Sequence, residues 1–391
     1  MTDETRDTRG GAEPASVEGY CEPRFAKVKE AYEAILASGE DVGSSVSVTL
    51  NGDAVVDLWG GHADAARTRP WERDTIVNMM SVAKGASAVC AHILADRGLL
   101  DLDAPVAEYW PEFAQAGKER LPVRYVLDHR AGLPVIEAPL PPGSIYDWDA
   151  MASALAAQAP LWEPGTKSGY HILTQGYIIG ELVRRITGRT LGSYFRDEVA
   201  EPLGLDYHIG LPPEHHARCA EFIPARKGTI LDREALDPDS LLARAWAQVP
   251  PDIDFNSDSW RTSEIPSGNG HGNARAVARL YGALACGGEL DGVTLMRRDS
   301  LERAVAEQHS ETEVVLGRVY HQALGFVRNS PPIVPLGPNP RAFGHHGVGG
   351  SVGFADPDAR IGFAYATNTM HARLDIGPRA GSLIEATFDS L

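Results

Sequence analysis

The sequence predicts an α/β fold in which an antiparallel sheet, flanked by helices, is built from both ends of the chain, with a mainly helical lobe inserted between them. Near the N-terminus, the strand-like residues 45–50 and 54–59 flank Asn51-Gly52, a pair that favours a tight hairpin turn. Strand character returns only late in the chain, at residues 346–355 and 361–368. Because the residues between these regions have a helical pattern, we expect one sheet that both ends share.

The helices are predicted from apolar residues that recur at the spacing of a helix face. One such pattern, near residues 23–38, precedes the first hairpin, and another, from about 379 to 388, closes the chain. The middle of the chain is rich in Pro and in short helices, and it contains a strongly amphipathic helix over residues 174–187 that ends at Gly188. We expect the terminal helices to flank the sheet and the middle ones to build the lobe.

The predicted domain bounds follow from these patterns and from the length of 391 residues, since one domain usually holds roughly 100–200 residues. Residues 1–18 are polar and lack a hydrophobic period, which predicts a flexible tail. Residues 19–104 and 270–391 together form the predicted sheet domain. Residues 105–269 form the predicted helical insertion lobe.

The charge balance narrows the classes of partner. The chain carries 53 Asp and Glu against 36 Lys and Arg, a formal net charge of −17, and has no basic run. Nucleic acids and anionic membranes both attract clustered cations, so we expect neither as a partner. The N-terminal segment is polar and acidic, and no stretch approaches the roughly 18 apolar residues of a membrane span. We therefore expect a cytoplasmic protein that acts on a small molecule; the oligomeric state stays open.

Ser81 and Lys84 are the residues most indicative of function. They lie three positions apart at the start of a predicted helix, so their side chains share one face. The following residues 85–94 are apolar or small on nearly every side, which predicts a buried helix. An ammonium group buried there loses hydration, so its pKa falls and the neutral amine can accept the proton of the serine hydroxyl. None of the other five lysines has Ser or Thr three residues before it.

Two further segments supply what else a serine nucleophile needs, namely a second proton carrier and donors for the oxyanion. In residues 162–172, a Pro-Gly turn leads to Tyr170. Residues 343–351 are strand-like and rich in glycine, a composition that lets the backbone of a ligand approach closely. The candidate substrate-binding and oxyanion residues of this segment are His345, Gly347, Gly349 and Gly350.

Together these segments resemble the serine β-lactamase and penicillin-binding-protein superfamily, whose pattern is Ser-x-x-Lys, then Ser-x-Asn or Tyr-x-Asn, then Lys-Thr-Gly. More narrowly, the chain is similar to the esterase branch with a class C β-lactamase fold, the family VIII carboxylesterases. The resemblance covers most of residues 20–391 and implies a β-lactamase-type sheet with the site between its edge and the helical lobe. It also implies that Ser81 is the acylated nucleophile, Lys84 its base and Tyr170 the proton relay to the leaving group, with His345-His346-Gly347 in the place of Lys-Thr-Gly and an oxyanion-binding amide near Gly349.

Two departures from the family pattern bear on the substrate. His345 replaces the lysine of Lys-Thr-Gly, which by the resemblance helps to hold a substrate carboxylate, and Ile172 replaces the Asn that follows Tyr170. Substrates without a carboxylate are therefore expected. The predicted function is a serine carboxylesterase that works through an acyl-enzyme on Ser81 without metal or cofactor. Three alternatives stay open: an acyltransferase using the same acyl-enzyme, a β-lactamase or D-amino-acid peptidase, and a binding protein with a decayed site.

Several residues also have structural interpretations. A hydrogen bond between Ser81 and Lys84 can serve folding alone, Tyr170 can be a packed aromatic residue, and His345 can bridge the sheet edge. The segment 349–353 matches the Gly-x-Ser-x-Gly elbow of α/β-hydrolases, but that elbow joins a strand to a helix, whereas strand-like residues flank Ser351.

Two other segments are weaker candidates. Residues 214–219 hold ligand-type side chains at helical spacing, but no second cluster completes four ligands, so no zinc site is predicted. Residues 268–273 are compatible either with lining the cleft or with entry into the following helix.

Overall fold

The computed structural model describes residues 16–225 and 232–391. In chain order its strands are β1 (Val17–Cys21), β2 (Gly43–Leu50), β3 (Asp53–Gly61), β4 (Val77–Asn78), β5 (Tyr207–Ile209), β6 (Gly270–Gly272), β7 (Glu289–Leu290), β8 (Val293–Thr294), β9 (Val327–Arg328), β10 (Phe343–His346), β11 (Val352–Asp356) and β12 (Ile361–Thr367). Its α-helices are α1 (Ala26–Ser38), α2 (Ala83–Asp96), α3 (Val106–Tyr109), α4 (Val123–Leu127), α5 (Trp148–Ala157), α6 (Thr174–Thr187), α7 (Leu191–Phe195), α8 (Glu201–Leu203), α9 (Leu241–Trp246), α10 (Asp258–Thr262), α11 (Ala274–Ala285), α12 (Arg298–Ala304) and α13 (Gly377–Phe388).

The main sheet has seven antiparallel strands in the order β1-β3-β2-β12-β11-β10-β9. The hairpin β2–β3 turns at Asn51 and Gly52, whose φ angles of +55° and +94° suit the turn that joins two twisted strands. Strand β12 pairs with β2 along its whole length, from Ile361 opposite Leu50 to Thr367 opposite Ser44. Both ends of the chain therefore build one sheet, and the predicted α/β fold is confirmed.

The structure differs from two sequence predictions in where strands begin and end. Residues 346–355, predicted as one strand, fall into β10 and β11, because Gly349 and Gly350 have φ angles of +105° and +114° and turn the chain between them. Strand β1 begins at Val17 and pairs with β3, so Val17 and Glu18, which were predicted to belong to the tail, lie in the sheet. Residues 1–15 lie outside the described residues, and the division into two domains stays a prediction.

Helix α11 packs on one face of the sheet, against β2, β11 and β12, while α1 and α13 pack against each other and share a hydrophobic core with the other face. Helix α11 approaches β12 very closely because Gly282 on the helix and Gly362 on the strand have no side chain. A Cβ on Gly362 would lie 2.2 Å from the carbonyl oxygen of Ala278 and 2.3 Å from the amide nitrogen of Gly282. Because helices cover both faces of the sheet, its central strands are buried on both sides.

The buried helix α2 lies where the sheet edge meets the helices from the middle of the chain. It contacts β10 on the sheet side and α6, α7 and α12 elsewhere. Every residue from Ala83 to Leu94 is buried, as expected for a helix without a polar face. Helix α2 therefore lies between the main sheet and the helices that pack around it.

Candidate active site

Ser81 lies in a single 3₁₀ turn, Met80–Val82, that joins β4 to α2. Met80 has a φ of +50°, which costs a residue other than glycine about 1–2 kcal/mol. The side-chain oxygen of Asn78, which is buried, accepts a hydrogen bond of 2.9 Å from the Met80 amide and stabilises this turn. The amide of Ser81 lies in the first turn, where an N–H group has no acceptor within the helix.

Lys84 meets Ser81 inside the protein. Its side chain is 1% exposed, and its Nζ atom lies 3.4 Å from Ser81 Oγ. Nζ is also 2.7 Å from the carbonyl oxygen of Ile172 and 3.0 Å from that of Ser267. The ring centroid of Tyr170 lies 4.7 Å away. The three residues predicted to be catalytic are therefore neighbours in the structure.

Burial and these contacts together suit the neutral amine form of Lys84. Burial lowers the pKa of Lys84 well below its ordinary value, because the ammonium form loses its hydration. A neutral amine carries two hydrogens and one lone pair. The carbonyl oxygens of Ile172 and Ser267 accept the two hydrogens, which leaves the lone pair for the hydroxyl proton of Ser81. The geometry is that of a general base beside a nucleophile.

Burial shifts the pKa of Tyr170 in the direction opposite to that of Lys84. Burial raises the pKa of Tyr170 above its ordinary value, and a hydrogen bond with Ser81 opposes this rise only in part. The phenol is therefore protonated at neutral pH, beside Ser81. An amine that is neutral and a phenol that keeps its proton are suited to act as base and acid in the same reaction.

Buried histidines support the Tyr170 segment from behind. The His129 ring lies 4.8 Å from the Tyr170 ring, and His129 Nδ1 accepts a hydrogen bond of 3.2 Å from the His171 amide. His171 Nδ1 lies 2.6 Å from the carbonyl oxygen of Gly169, and its Nε2 accepts from the Leu133 amide. Because these rings bond to the backbone, they have a structural role.

A cavity opens beside Ser81, and its walls are mostly apolar or aromatic. Apart from two phenol groups, the polar side chains in its lining are those of Ser81, Ser267 and His346. In the part of the chain that the structure describes, no Lys, Arg, Asp or Glu lines it. The other lining residues are Met80, Tyr170, Ile172, Leu173, Trp246, Phe255, Trp260, Gly268, Leu316, Tyr320, Val348 and Leu374.

The two histidines of β10 differ in position from the sequence prediction. His345, the predicted site residue, is 1% exposed and does not line the cavity; its ring lies 6.2 Å from that of Tyr170. His346 lines the cavity instead, 6.1 Å from the ring of Tyr320. The two rings stack on each other at a centroid distance of 5.7 Å, and only that of His346 reaches the cavity lining. Burial lowers the pKa of His346 to about 4, so its ring is neutral at neutral pH.

The glycines after β10 shape a turn rather than a cavity wall. Gly347 lies against the start of the Ser81 turn, where a Cβ would come within 2.2 Å of the carbonyl oxygen of Met79. Neither Gly347, Gly349 nor Gly350 lines the cavity, whereas Val348 does. The Val348 amide donates no hydrogen bond to any described residue, so it is available to a ligand.

The structure also places the residues of the weaker candidate segments. Gly268 lines the cavity, while the side chain of Asn273 accepts a hydrogen bond from the Ala276 amide and caps α11, so both interpretations of 268–273 hold for different residues. Ser351 lies between β10 and β11, without a helix after it, which rules out the elbow. Among the described residues, no group of three or more His, Cys, Asp or Glu side chains is placed to hold a metal ion.

The sequence reasoning missed most of the cavity wall. Trp246, Phe255 and Trp260 come from α9, α10 and the segment between them, and Leu316 and Tyr320 from the segment before β9. These residues are far from one another in the chain and form no spaced motif. The sequence around His346 carried no signal either, because every residue of β10 is buried.

Comparison with known proteins gives the family. The family model described as Beta-lactamase matches residues 28–384. The chain belongs to the beta-lactamase family. The Esterase/beta-lactamase LipL of Mycobacterium tuberculosis is 35% identical over 385 residues, which cover 93% of this chain and 85% of LipL.

Two solved structures extend the likeness within the beta-lactamase family. A family VIII carboxylesterase is 42% identical, with a TM-score of 0.89, and the match covers 96% of this chain and 100% of that one. A penicillin-binding protein homologue from Caulobacter crescentus is 40% identical, with a TM-score of 0.90 and the same coverage. The predicted serine hydrolase of β-lactamase fold, in the esterase branch of the superfamily, is confirmed at the level of the family. None of the helices within residues 16–225 and 232–391 has the length and apolar character to cross a membrane.

Proposed function

We propose that this protein hydrolyses carboxylic esters through an acyl-enzyme on Ser81. The observation that carries the proposal is the surroundings of Lys84 Nζ, which lies 3.4 Å from Ser81 Oγ and within hydrogen-bond distance of two backbone carbonyls. In a neutral amine the two carbonyls can accept both hydrogens, so that the lone pair is left to accept the proton of the Ser81 hydroxyl. This arrangement is the one that a base needs to remove the proton of a nucleophile at neutral pH.

The first half of the reaction forms the acyl-enzyme. The Ser81 proton moves to Lys84 Nζ as Ser81 Oγ bonds to the ester carbonyl carbon. The amides of Ser81 and Val348 hold the resulting oxyanion. When the tetrahedral intermediate collapses, the bond to the alcohol oxygen breaks, Tyr170 gives its proton to that oxygen, and the proton on Lys84 replaces the one that Tyr170 lost. The alcohol leaves, and the acyl group stays on Ser81.

The second half returns the enzyme to its starting state. A water molecule attacks the acyl carbonyl and gives a proton to the Lys84 and Tyr170 pair. The same two amides hold the second oxyanion. Collapse breaks the bond to Ser81 Oγ, which takes up the proton, and the carboxylic acid leaves. Each proton that the base accepts is therefore returned within one turnover.

The cavity supports uncharged esters as substrates. A β-lactam or a D-alanyl peptide carries a carboxylate, and burying a carboxylate without a cationic partner costs several kcal/mol. The described lining offers none, since its polar side chains are hydroxyls and the neutral ring of His346. The relative LipL carries both esterase and beta-lactamase in its name, so β-lactam hydrolysis is the second candidate.

The test compares turnover of a short p-nitrophenyl ester, of the same ester with added alcohols or amines, and of the β-lactam nitrocefin. We expect fast release of p-nitrophenol, free acid as the main product, slow nitrocefin turnover, and loss of all activity in Ser81→Ala. Faster nitrocefin than ester turnover would favour the β-lactamase, and transfer of the acyl group to the acceptor as the main path would favour the acyltransferase. Full activity of Ser81→Ala would reject the mechanism.

A further inference from the structure

A buried carboxylate, that of Glu313, lies behind the Tyr170 segment and outside the cavity lining. Glu313 is 3% exposed, and the strongest influences that lower its pKa come from backbone amides rather than from a cationic side chain. Four backbone amides donate hydrogen bonds to it instead. They belong to Tyr170 (2.7 Å), Val315 (3.0 Å), Leu316 (2.6 Å) and Arg318 (3.4 Å).

These four donors indicate the ionised form. A protonated carboxyl would have to donate its own hydrogen, whereas the groups that face Glu313 are themselves donors. An ionised carboxylate accepts at both oxygens, and such charge-assisted bonds are about twice as strong as those between neutral groups. Burial raises the pKa of Glu313, and the four amides oppose that rise. The amides therefore replace the water and the cation that a buried charge otherwise needs.

Glu313 links the segment 313–318 to the segment that carries Tyr170. Three of its bonds close the segment 313–318 on itself, and this segment and the residues after it present Leu316 and Tyr320 to the cavity. The fourth bond reaches Tyr170 directly. A second contact between the same segments, from the Val314 amide to the Ser168 carbonyl at 2.9 Å, runs alongside it.

We propose that Glu313 is a positioning residue that holds the Tyr170 hydroxyl where it can protonate the departing alcohol. The proposal rests on the proposed esterase function and adds to it a residue that neither touches the substrate nor belongs to the Ser81, Lys84 and Tyr170 set. Its physical basis is that the backbone of Tyr170 is fixed through its own amide. A displacement of a catalytic group by about 1 Å can cost about 100-fold in rate.

A positioning role for Glu313 can be distinguished from a loss of stability, because it affects esters with different leaving groups unequally. Proton donation matters most when the leaving group is a strong base, so an alkyl ester depends on Tyr170 more than a p-nitrophenyl ester does. An ethyl ester and a p-nitrophenyl ester of the same acid form the same acyl-enzyme, and kcat/KM reports its formation. The ratio of the two kcat/KM values therefore measures how much proton donation assists the departure of the leaving group.

The experiment measures this ratio for wild type, Glu313→Gln, Glu313→Asp, Tyr170→Phe and a matched control, Glu181→Gln. Glu181 is also a buried carboxylate, 5% exposed, but it bonds to Trp148 and Arg185 away from the cavity. We expect Glu313→Gln to lower kcat/KM for the ethyl ester about tenfold more than for the p-nitrophenyl ester, in the direction of Tyr170→Phe. Glu181→Gln should leave the ratio unchanged. If Glu313→Gln does not fold, Glu313→Asp, whose shorter side chain draws the carboxylate away from the Tyr170 amide, decides by the same ratio.

The double variant Tyr170→Phe/Glu313→Gln completes the test. If Glu313 acts through Tyr170, the second change should not alter the ratio further. The proposal is overturned if the substitutions at Glu313 slow both esters equally, or if the ratio changes again in the double variant. Either result leaves the esterase function standing, because that function is tested separately by loss of turnover in Ser81→Ala.

Discussion

Lys84 and Lys118 are both buried lysines, and they differ in one polar neighbour. Lys118 Nζ bonds to three backbone carbonyls, the nearest being that of Gln158 at 2.5 Å, which accept all three hydrogens of an ammonium. Lys84 has two carbonyls, and its third neighbour is the hydroxyl of Ser81. Burial lowers the pKa of both side chains, that of Lys118 to about 8. The Ser81 hydroxyl, rather than burial, therefore distinguishes Lys84, the proposed base, from Lys118.

This contrast predicts opposite effects for the same substitution at two sites. Lys84→Met should lower kcat/KM for a p-nitrophenyl ester about 100-fold or more, because it removes the base. Lys118→Met should keep kcat/KM but lower the free energy of unfolding, since it leaves three buried carbonyls without their donor. Steady-state kinetics and urea unfolding of both variants check this. Equal losses of activity would show that burial of a lysine, not its contact with Ser81, is what matters.

The pH dependence of kcat/KM should have an acidic limb set by the lowered pKa of Lys84. Lys84 acts as the neutral amine, so kcat/KM is constant above its lowered pKa and falls as the pH drops through that pKa. Tyr170 must keep its proton, and its raised pKa means that activity persists on the alkaline side to about pH 10, where an ordinary phenol ionises. A pH profile with a short p-nitrophenyl ester, corrected for spontaneous hydrolysis, tests this. A fall in kcat/KM between about pH 8 and 10 would contradict the assigned protonation states.

The uncharged cavity predicts that one added cation will change substrate preference. Leu316 lines the cavity in a segment close to Tyr170, so Leu316→Arg would place a guanidinium beside the substrate. A charge-assisted bond to a carboxylate is worth about 1.5–3 kcal/mol, so the ratio of nitrocefin to ester kcat/KM should rise about tenfold or more. Leu316→Met, similar in volume but uncharged, is the matched control. An unchanged ratio in Leu316→Arg would mean that carboxylate binding does not limit β-lactam turnover.

A buried ion pair holds the turn after β10 from the other side of the sheet. Arg379, on α13, pairs with Asp41, and it also donates a 3.2 Å hydrogen bond to the carbonyl of Gly349. Both side chains are almost fully buried, at 4% and 0% exposure. Arg379→Met leaves an uncompensated carboxylate, so the free energy of unfolding should fall by about 3–5 kcal/mol.

Urea unfolding measures this loss against a second pair. Arg275 and Asp57 are 2.6 Å apart but more exposed, so Arg275→Met should cost only about 0–1 kcal/mol. Similar losses at the two sites would show that burial adds nothing to the Arg379 pair.

The sequence predicted the elements whose signal is local. The hairpin at Asn51-Gly52 and the helix Thr174–Thr187 follow from turn chemistry and helical spacing, and both lie where they were predicted. Ser81 and Lys84 could be paired because a helix brings residues three apart together. In each case the determining interactions lie within a few residues of one another.

The features that could not be predicted depend on distant contacts. The resemblance predicts His345 as the site residue because it takes the place of the lysine of Lys-Thr-Gly. The sequence offers nothing to correct this choice, because β10 is buried throughout and its residues do not alternate between polar and apolar. The cavity wall combines Trp246, Phe255 and Tyr320, whose meeting depends on how separate segments pack. Lys118 shows the same limit, since its three carbonyl partners cannot be read from the residues beside it.

The most direct test of the central claim is to locate the acyl group during turnover. Wild type and Ser81→Ala are mixed briefly with a p-nitrophenyl ester, quenched in acid, and analysed by intact mass and by peptide mapping. We expect wild type to gain one acyl group on the peptide that contains Ser81, and Ser81→Ala to gain none and to release no p-nitrophenol. An acyl group on another residue of wild type, or continued turnover by Ser81→Ala, would contradict the proposed nucleophile.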